Sequence, residues 1–184
     1  KIFRVYYPEP KFVEKARAFS RAVDTSLHEE RNKISEKKAR RDHYWSKISE
    51  WGVYKALKDV LPDLSYPSFR IHEKNDKRWS SDLFDTVTEI GVSVKYCPLS
   101  GRAVFWEESE PSFVFGYRLA AGDYDKKFFG KDACIDKSWV CLCVVDDTDD
   151  RPPATRIFFL NRVSTLYDTW LYREPVLNKV KNSK

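Results

Sequence analysis

Prolines divide this chain, and their positions constrain its fold more than any other feature of the sequence. After Pro10 no proline occurs until Pro62, and the stretch between them contains one glycine, Gly52. Proline disrupts helix interiors, so a long stretch without it is open to helix formation. Apolar residues recur there at intervals of three and four, which is typical of amphipathic helices. The N-terminal third of the chain is therefore predicted to be helical.

Two helices are predicted in this stretch, over 11–30 and 34–60. Ser35 has the side-chain chemistry of an N-cap for the second helix. The sequence leaves open whether the two helices are continuous or broken near Asn32.

After Pro67 the pattern changes from helical spacing to short, β-branched and aromatic runs. Residues 68–72 form a short extended run. Candidate strands cover 79–84, 91–97, 102–106, 113–118, 139–145 and 156–160, and 85–90 connects the first of these to the second. Residues 1–7 form either a short strand or an extended arm, and Ser164 can cap a final helix over 165–172. Helices followed by strands and a last helix indicate an α+β (mixed α/β) fold, with N-terminal helices packed on a central mixed β-sheet.

The length of 184 residues predicts a single domain, 1–184, with a basic helical part, 1–60, and a sheet-rich part, 61–184, that ends in the C-terminal helix. Aromatic residues make up 15% of the chain, which excludes a disordered protein. No apolar run reaches the ~18–20 residues needed to span a bilayer, and the N-terminus lacks a signal-peptide layout, so we expect no membrane association.

The cysteines support a cytoplasmic location. They are Cys97, Cys134, Cys141 and Cys143, and none forms a C-x-x-C pair, so neither a zinc ribbon nor a thioredoxin-like motif is indicated. Cys141 and Cys143 lie in the strongest strand pattern and are expected in the core, although an unrecognised metal site is the alternative. Free buried thiols are typical of a reducing compartment. Glycine-rich phosphate loops, G-x-S-x-G and H-E-x-x-H motifs are absent, which argues against nucleotide hydrolases, α/β-hydrolases and zinc proteases.

Positive charge is concentrated near the N-terminus. The whole chain carries +5, whereas residues 1–60 contain fifteen basic and nine acidic residues. Within 31–47 there are seven basic and two acidic residues. Such a surface is typical of proteins that bind a phosphate backbone, although a solvated helix face is the alternative. The predicted nucleic-acid-binding residues are Arg31, Lys33, Lys37, Lys38, Arg40, Arg41 and Arg78.

One acid and one lysine stand out in the strand region. Asp82 precedes the strand 91–97, on which Ser93 and Lys95 alternate with valines and so share one face. If 85–90 folds as a hairpin, Asp82 lies beside Ser93 and Lys95. A lysine on a valine-rich strand is a costly placement of charge unless the charge has a function. Glu50 lies upstream on the second predicted helix. The alternatives are a surface helix glutamate for Glu50, a turn or strand-end acid for Asp82, and a snorkelling or ion-paired lysine on a half-exposed strand for Lys95.

Glu50, Asp82 and the Ser93-x-Lys95 pair resemble, in that order, the motif of the restriction-endonuclease-like nucleases, the PD-(D/E)xK superfamily. Ser93 stands where that motif has its second acid, and Ser81 stands where it has proline. The resemblance covers residues 48–97. It implies a restriction-endonuclease-like core and a metal-dependent endonuclease that hydrolyses DNA phosphodiester bonds.

The resemblance also implies the roles of the site residues. Asp82, Lys95, Glu50 and Ser93 would be catalytic. Asp82, Glu50 and the backbone carbonyl of Val94 would bind Mg²⁺ or Mn²⁺. A hydroxyl in place of a carboxylate weakens such a site, and Glu50, or else Glu89 or Asp85, would supply the missing charge.

Two other functions are compatible with the sequence. The first is a non-catalytic nucleic-acid-binding protein that uses the basic helix 31–47, and the second is a protein-interaction module. DNA is the expected partner and RNA the alternative, and the oligomeric state, a homodimer included, is left open.

Overall fold

The structure is a computed structural model that describes residues 4–26, 29, 34–71, 81–99, 138–147 and 152–162. The elements in these ranges are, in chain order, β1 (Val5–Tyr6), α1 (Pro10–Ala22), α2 (Glu36–Leu57), β2 (Leu83–Phe84), β3 (Gly91–Pro98), β4 (Ser138–Asp146) and β5 (Ala154–Arg162). Helices and a mixed sheet are both present, so the predicted α+β class is confirmed. The predicted strands 102–106 and 113–118, the helix 165–172 and Cys134 lie outside the described residues.

The two helices form near the predicted positions. α2 begins where expected, because the Ser35 Oγ accepts a hydrogen bond from the Lys38 N–H at 3.3 Å and so caps the helix. α1 ends at Ala22, earlier than the predicted residue 30. Val23 is extended, and the Asp24 side chain accepts a hydrogen bond from the Ser26 N–H at 3.0 Å. This local turn competes with continuation of the helix.

The five strands form one sheet in the order β1-β5-β4-β3-β2. β3 and β4 are parallel and the other pairs are antiparallel, so the sheet is mixed, as predicted. β2 and β3 form the predicted hairpin around 85–90, and Asp85 accepts at its turn from the Thr88 N–H at 2.8 Å. The described part of the predicted extended run, 68–71, forms no strand of the sheet, and Ser68 Oγ accepts a hydrogen bond from the Arg70 N–H there.

α2 is the element around which the core is built. One face packs Val53 and Leu57 on Val92 and Val94 of β3, together with the buried Cys141 and Cys143 of β4. Its N-terminal half packs against α1 in a second apolar cluster of Phe12, Ala16, Trp45, Ile48, Trp51 and Val145. The predicted core positions of Cys141 and Cys143 are confirmed, and Trp45 and Trp51 are buried as well. None of the helices in the described ranges has the length and apolarity needed to cross a membrane.

Candidate active site

Glu50 is buried in the interface between α2 and the sheet. It lies on the same side of α2 as Val53, three residues on, and retains only 2% of its surface exposed. The Lys47 Nζ donates to Glu50 Oε2 at 2.7 Å and to Oε1 at 3.0 Å. Ser46 Oγ donates to Oε1 at 3.1 Å. A surface position for Glu50 is therefore wrong, because the carboxylate is held inside the fold by two side chains of its own helix.

A second carboxylate lies within electrostatic reach of Glu50. Burial and then the negative charge of Asp82 raise the pKa of Glu50 to about 7, while Lys47 and Ser46 act in the opposite direction. Neighbouring carboxylates disfavour each other's ionised form, particularly where water is excluded. At neutral pH the Glu50 carboxyl is therefore only partly ionised, and a cation placed near both groups would stabilise their charged forms.

Asp82 occupies the point at which β2 departs from β3. Pairing between the two strands is confined to Leu83 with Val92 and Phe84 with Gly91. One residue earlier, Asp82 Oδ2 accepts a hydrogen bond from the Val94 N–H at 2.7 Å. The Asp82 carboxylate thus supplies the acceptor that a paired strand would otherwise provide at Val94. In a strand, the N–H and C=O of one residue point to the same edge. The Val94 carbonyl therefore shares this edge with the Asp82 carboxylate.

Ser93 and Lys95 point to the other face of the sheet. Val92 and Val94 pack against α2, and the Tyr96 hydroxyl donates to the Asp42 carbonyl of α2 at 3.1 Å. Because successive side chains of a strand alternate between faces, Ser93 and Lys95 are directed away from the helix that carries Glu50. Ser93 is buried, with 6% of its surface exposed, and Lys95 is half-buried. The structure thus brings Glu50 and Asp82 together and places Ser93 and Lys95 across β3.

Lys47 is the cation that contacts Glu50, and sequence reasoning assigned it no role at the site. Its side chain is 14% exposed, so the ion pair is largely shielded from water. The signal available in the sequence was the spacing of three residues between Lys47 and Glu50, which places the two side chains together on a helix. Because basic residues are frequent throughout 31–47, this spacing did not single out Lys47.

The Cys143 thiol lies within electrostatic reach of the Glu50 and Asp82 carboxylates. Burial, above all, raises the pKa of Cys143, and the charges of Cys141, Asp82 and Glu50 act in the same direction. Its Sγ donates to the Lys95 carbonyl at 3.4 Å. A neutral thiol that serves as a donor is neither a nucleophile nor a metal ligand. Cys143 therefore acts here as a small apolar residue of the core.

The two acids of the hairpin do not take the place of the missing carboxylate. Asp85 Oδ1 accepts from the Thr88 N–H and Oγ1, both at 2.8 Å, and from the Val87 N–H at 3.2 Å. These bonds hold the pKa of Asp85 below its usual range and commit one of its oxygen atoms to the turn. Glu89 is exposed, and its own backbone has a positive φ of 58°. Neither acid is part of the Glu50–Asp82 pair.

The basic residues of α2 divide into exposed and structurally engaged ones. Lys37 and Lys38 are exposed. Arg40 donates to Glu36 Oε1 at 2.7 Å and to the Ser20 carbonyl at 2.9 Å, which ties α2 to the last turn of α1. Arg41 lies 3.7 Å from the Asp147 carboxylate. The other predicted nucleic-acid-binding residues, Arg31, Lys33 and Arg78, lie outside the described residues.

The donors near Asp82 are oxygen atoms of the kind that Mg²⁺ and Mn²⁺ prefer: two carboxylates and a backbone carbonyl. Among the residues that the structure describes, no group of three or more His, Cys, Asp or Glu side chains lies close enough together to hold a metal ion. Comparison of the chain with known protein families, with curated proteins and with solved structures finds no match. The restriction-endonuclease-like core therefore remains a prediction.

Proposed function

We propose that this protein is a metal-dependent endonuclease that hydrolyses phosphodiester bonds in DNA. The observation that carries the proposal is the pairing of the buried Glu50 with Asp82 at the edge of β3, where a strand ends and a carboxylate replaces it. Burying the Glu50 carboxyl group next to a second acid is costly for folding, because burial and the neighbouring negative charge both disfavour its ionised form. A divalent cation would offset that cost, and perturbed acids of this kind are concentrated at functional sites.

Mg²⁺ or Mn²⁺ would be held by the Asp82 and Glu50 carboxylates, with the Val94 carbonyl as a further oxygen donor. Mg²⁺ is commonly bound through one or two protein carboxylates plus substrate phosphate, so this donor set suits it. When bound, such an ion polarises the scissile phosphate and lowers the pKa of a coordinated water. To hold the ion, Glu50 would give up part of its contact with Lys47, which binds both of its oxygen atoms.

The other two residues of the motif would act from the far side of β3. Within the described ranges, the edge of β3 is paired with β2 only at Gly91 and Val92, so the strand edge beyond them is a route for the long Lys95 side chain. From there its ammonium group would offset the charge that develops on the phosphate in the transition state. Ser93 would support the site as a hydroxyl in place of an acid.

A cleavage assay tests the proposal directly. Supercoiled plasmid is incubated with the protein and Mg²⁺ or Mn²⁺, and we expect nicking that EDTA abolishes. Asp82→Ala, Glu50→Gln and Lys95→Ala should each lower the rate by about 100-fold or more, because each removes charge that acts on the transition state. Glu14→Gln, which changes an exposed glutamate of α1, is the matched control and should cleave like the wild type. Unchanged cleavage in both Asp82→Ala and Lys95→Ala would contradict the assignment.

A second candidate function is nucleic-acid binding without cleavage. Ser93 in place of an acid and the engagement of Glu50 by Lys47 both favour it, since each weakens a metal site. In this case the protein would bind DNA in a salt-dependent manner and would not cut it with either metal ion. Charge reversal at Lys37 and Lys38, the exposed part of the basic helix, should then weaken binding.

A further inference from the structure

A groove on the flank of α2 combines aromatic rings with positive charge. Its volume is about 470 Å³, and it lies between the β1 region and the C-terminal half of α2. Among the residues that line it are Arg4, Tyr6, Tyr7, Trp51, Lys55 and Lys58. Neither the spacing of the residues in the sequence nor the basic segment 31–47 indicated this surface, because its two sides come from segments about fifty residues apart.

Each basic residue of the groove is positioned over an aromatic ring. The Arg4 Cζ is 5.7 Å from the centre of the Tyr6 ring, and the Lys55 Nζ is 5.5 Å from that of Trp51. The Lys58 Nζ is 5.4 Å from the centre of the Tyr54 ring and also donates to the Pro62 carbonyl. Cations at this range are attracted by the negative face of the ring. The three positive charges are thereby held along the groove.

The groove remains positive after its acids are counted. Among the described residues that line it, one is acidic, Asp59, against three basic ones. Glu9 lies 3.8 Å from Lys55 across the rim, but both side chains are largely exposed, so this ion pair is weak. The ring of Tyr7 is 59% exposed and thus available for stacking. A ligand suited to this surface carries several negative charges and flat, unsaturated rings.

The groove and the Glu50–Asp82 pair lie toward opposite edges of the sheet. β1 is at one end of the strand order and β2 at the other, with three strands between them. Tyr54, Lys55 and Lys58 belong to the stretch of α2 and its C-terminal turn that faces the groove, whereas Glu50 faces β3. The groove is therefore a separate surface from the candidate active site.

We propose that this groove binds single-stranded DNA, with a base stacked on the exposed ring of Tyr7 and phosphates bound by Arg4, Lys55 and Lys58. Stacking needs base faces that are free, and those of a duplex are covered by their neighbours. A cavity of this size is in the range of small-ligand sites, about 300–1,000 Å³, and so accommodates nucleotides rather than a double helix. The choice of DNA over RNA rests on the proposed function. The expectation that the groove binds a single-stranded nucleic acid rests on its aromatic and basic lining alone.

Fluorescence anisotropy with labelled oligothymidine, in EDTA so that no cleavage occurs, tests the groove. The variant Lys55→Gln/Lys58→Gln should bind about tenfold more weakly at low salt, and the slope of log affinity against log salt should fall by about 1.4, as expected for two lost phosphate contacts on a single strand. The matched control is Lys11→Gln/Lys15→Gln, which removes the same charge from exposed positions of α1 outside the groove lining. It should bind nearly as tightly as the wild type.

A second pair of variants examines stacking rather than charge. Tyr7→Ala should weaken binding about tenfold, and Tyr7→Phe, which keeps the ring, should bind within about twofold of the wild type. Circular dichroism establishes that each variant is folded. A duplex of the same length and an oligouridine strand are the competitors, and we expect the duplex to bind more weakly.

Three outcomes would overturn the proposal. Equal losses in the groove and α1 double variants would indicate a non-specific charge effect, and a larger loss in Lys37→Gln/Lys38→Gln would place the nucleic acid on the exposed helix face instead. Preference for oligouridine, or for an acidic peptide, would refute single-stranded DNA as the ligand. Because Asp82→Ala leaves the groove intact, loss of cleavage with retained oligothymidine binding separates this proposal from the nuclease proposal.

Discussion

At the scale of single residues, Glu50 determines the electrostatics of the interior. A carboxyl group with 2% of its surface exposed would ordinarily be neutral at physiological pH. Here Lys47 and Ser46 counteract part of the effect of burial and of Asp82, and the pKa of Glu50 is about 7. The group is therefore balanced between its two protonation states, and its ionisation couples folding to pH.

The pH dependence of stability follows from this balance. Because the folded-state pKa of Glu50, about 7, exceeds its ordinary value of 4.5, the folded state holds the proton more tightly than the unfolded state. Stability from this group is complete below pH 4.5 and is lost as the pH rises through 7. Glu50→Gln mimics the protonated form, so the wild type should lose about 3 kcal/mol relative to this variant between those limits.

Urea unfolding of the metal-free protein across this pH range measures the effect. Plotting the difference in free energy of unfolding between the wild type and Glu50→Gln removes the contribution of all other groups. The comparison of the wild type with Glu14→Gln should be flat, because that glutamate is exposed. A flat difference for Glu50→Gln as well would mean that its carboxyl group titrates normally.

At the scale of elements, α2 is the part of the molecule that joins the others. Its N-terminus is capped by Ser35, Arg40 binds the last turn of α1, and its apolar faces reach both clusters of the core. α2 approaches the sheet closely at Gly52, where a Cβ atom would lie 2.5 Å from the Thr155 Cβ. Thr155 Oγ1 also donates to the Ile48 carbonyl at 3.1 Å. A helix and a strand are thus in backbone-level contact at this point.

Gly52→Ala should consequently destabilise the protein. In an exposed helix this change would stabilise by about 0.5–1 kcal/mol, since glycine is a poor helix former. Here the added methyl group displaces Thr155 and with it β5, which should cost about 1–3 kcal/mol. Lys37→Ala, at an exposed position of the same helix, is the control and should change stability by less than about 0.5 kcal/mol. Thermal or urea unfolding measures both, and a more stable Gly52→Ala variant would contradict the packing.

The elements themselves were largely predictable from sequence, and their ends were less so. The second helix and its Ser35 cap, the hairpin at 85–90 and the strands around Ser93 and Cys141 follow from local patterns that short-range physics enforces. The early end of α1 depends on a side-chain hydrogen bond of Asp24, which competes with regular structure. Periodicity does not report that competition.

At the scale of the whole molecule, the two proposed surfaces lie toward opposite edges of the sheet. Under the two proposals, one chain would bind single-stranded DNA at one edge and cleave DNA at the other. The metal-binding part of this arrangement has a consequence for stability. An ion that binds the folded state alone stabilises it by about 1.4 kcal/mol at ten times its dissociation constant.

Mg²⁺ or Mn²⁺ should therefore raise the melting temperature of the wild type at pH 8. Asp82→Ala and Glu50→Gln should show little or no such increase, because each lacks one of the two carboxylates. Glu14→Gln should respond like the wild type, which controls for non-specific effects of ionic strength, and Na⁺ at matched ionic strength is the second control. An equal increase in all variants would mean that the metal does not bind at this pair.

The sequence by itself determined the class of fold, the helical N-terminal third, the hairpin that brings Asp82 to β3 and the identity of the candidate acids, because these depend on local periodicity and spacing. Only the tertiary structure decided which of them meet. Val92 and Val94 pack on α2, so Ser93 and Lys95 lie on the opposite face of the sheet. Folding of α2 onto the sheet also buries Glu50 beside Lys47. The β1 region and α2 together form a groove from aromatic and basic residues that are distant in the sequence. Contacts between segments far apart in the chain carry no local signature, since they arise from the joint burial of apolar surface.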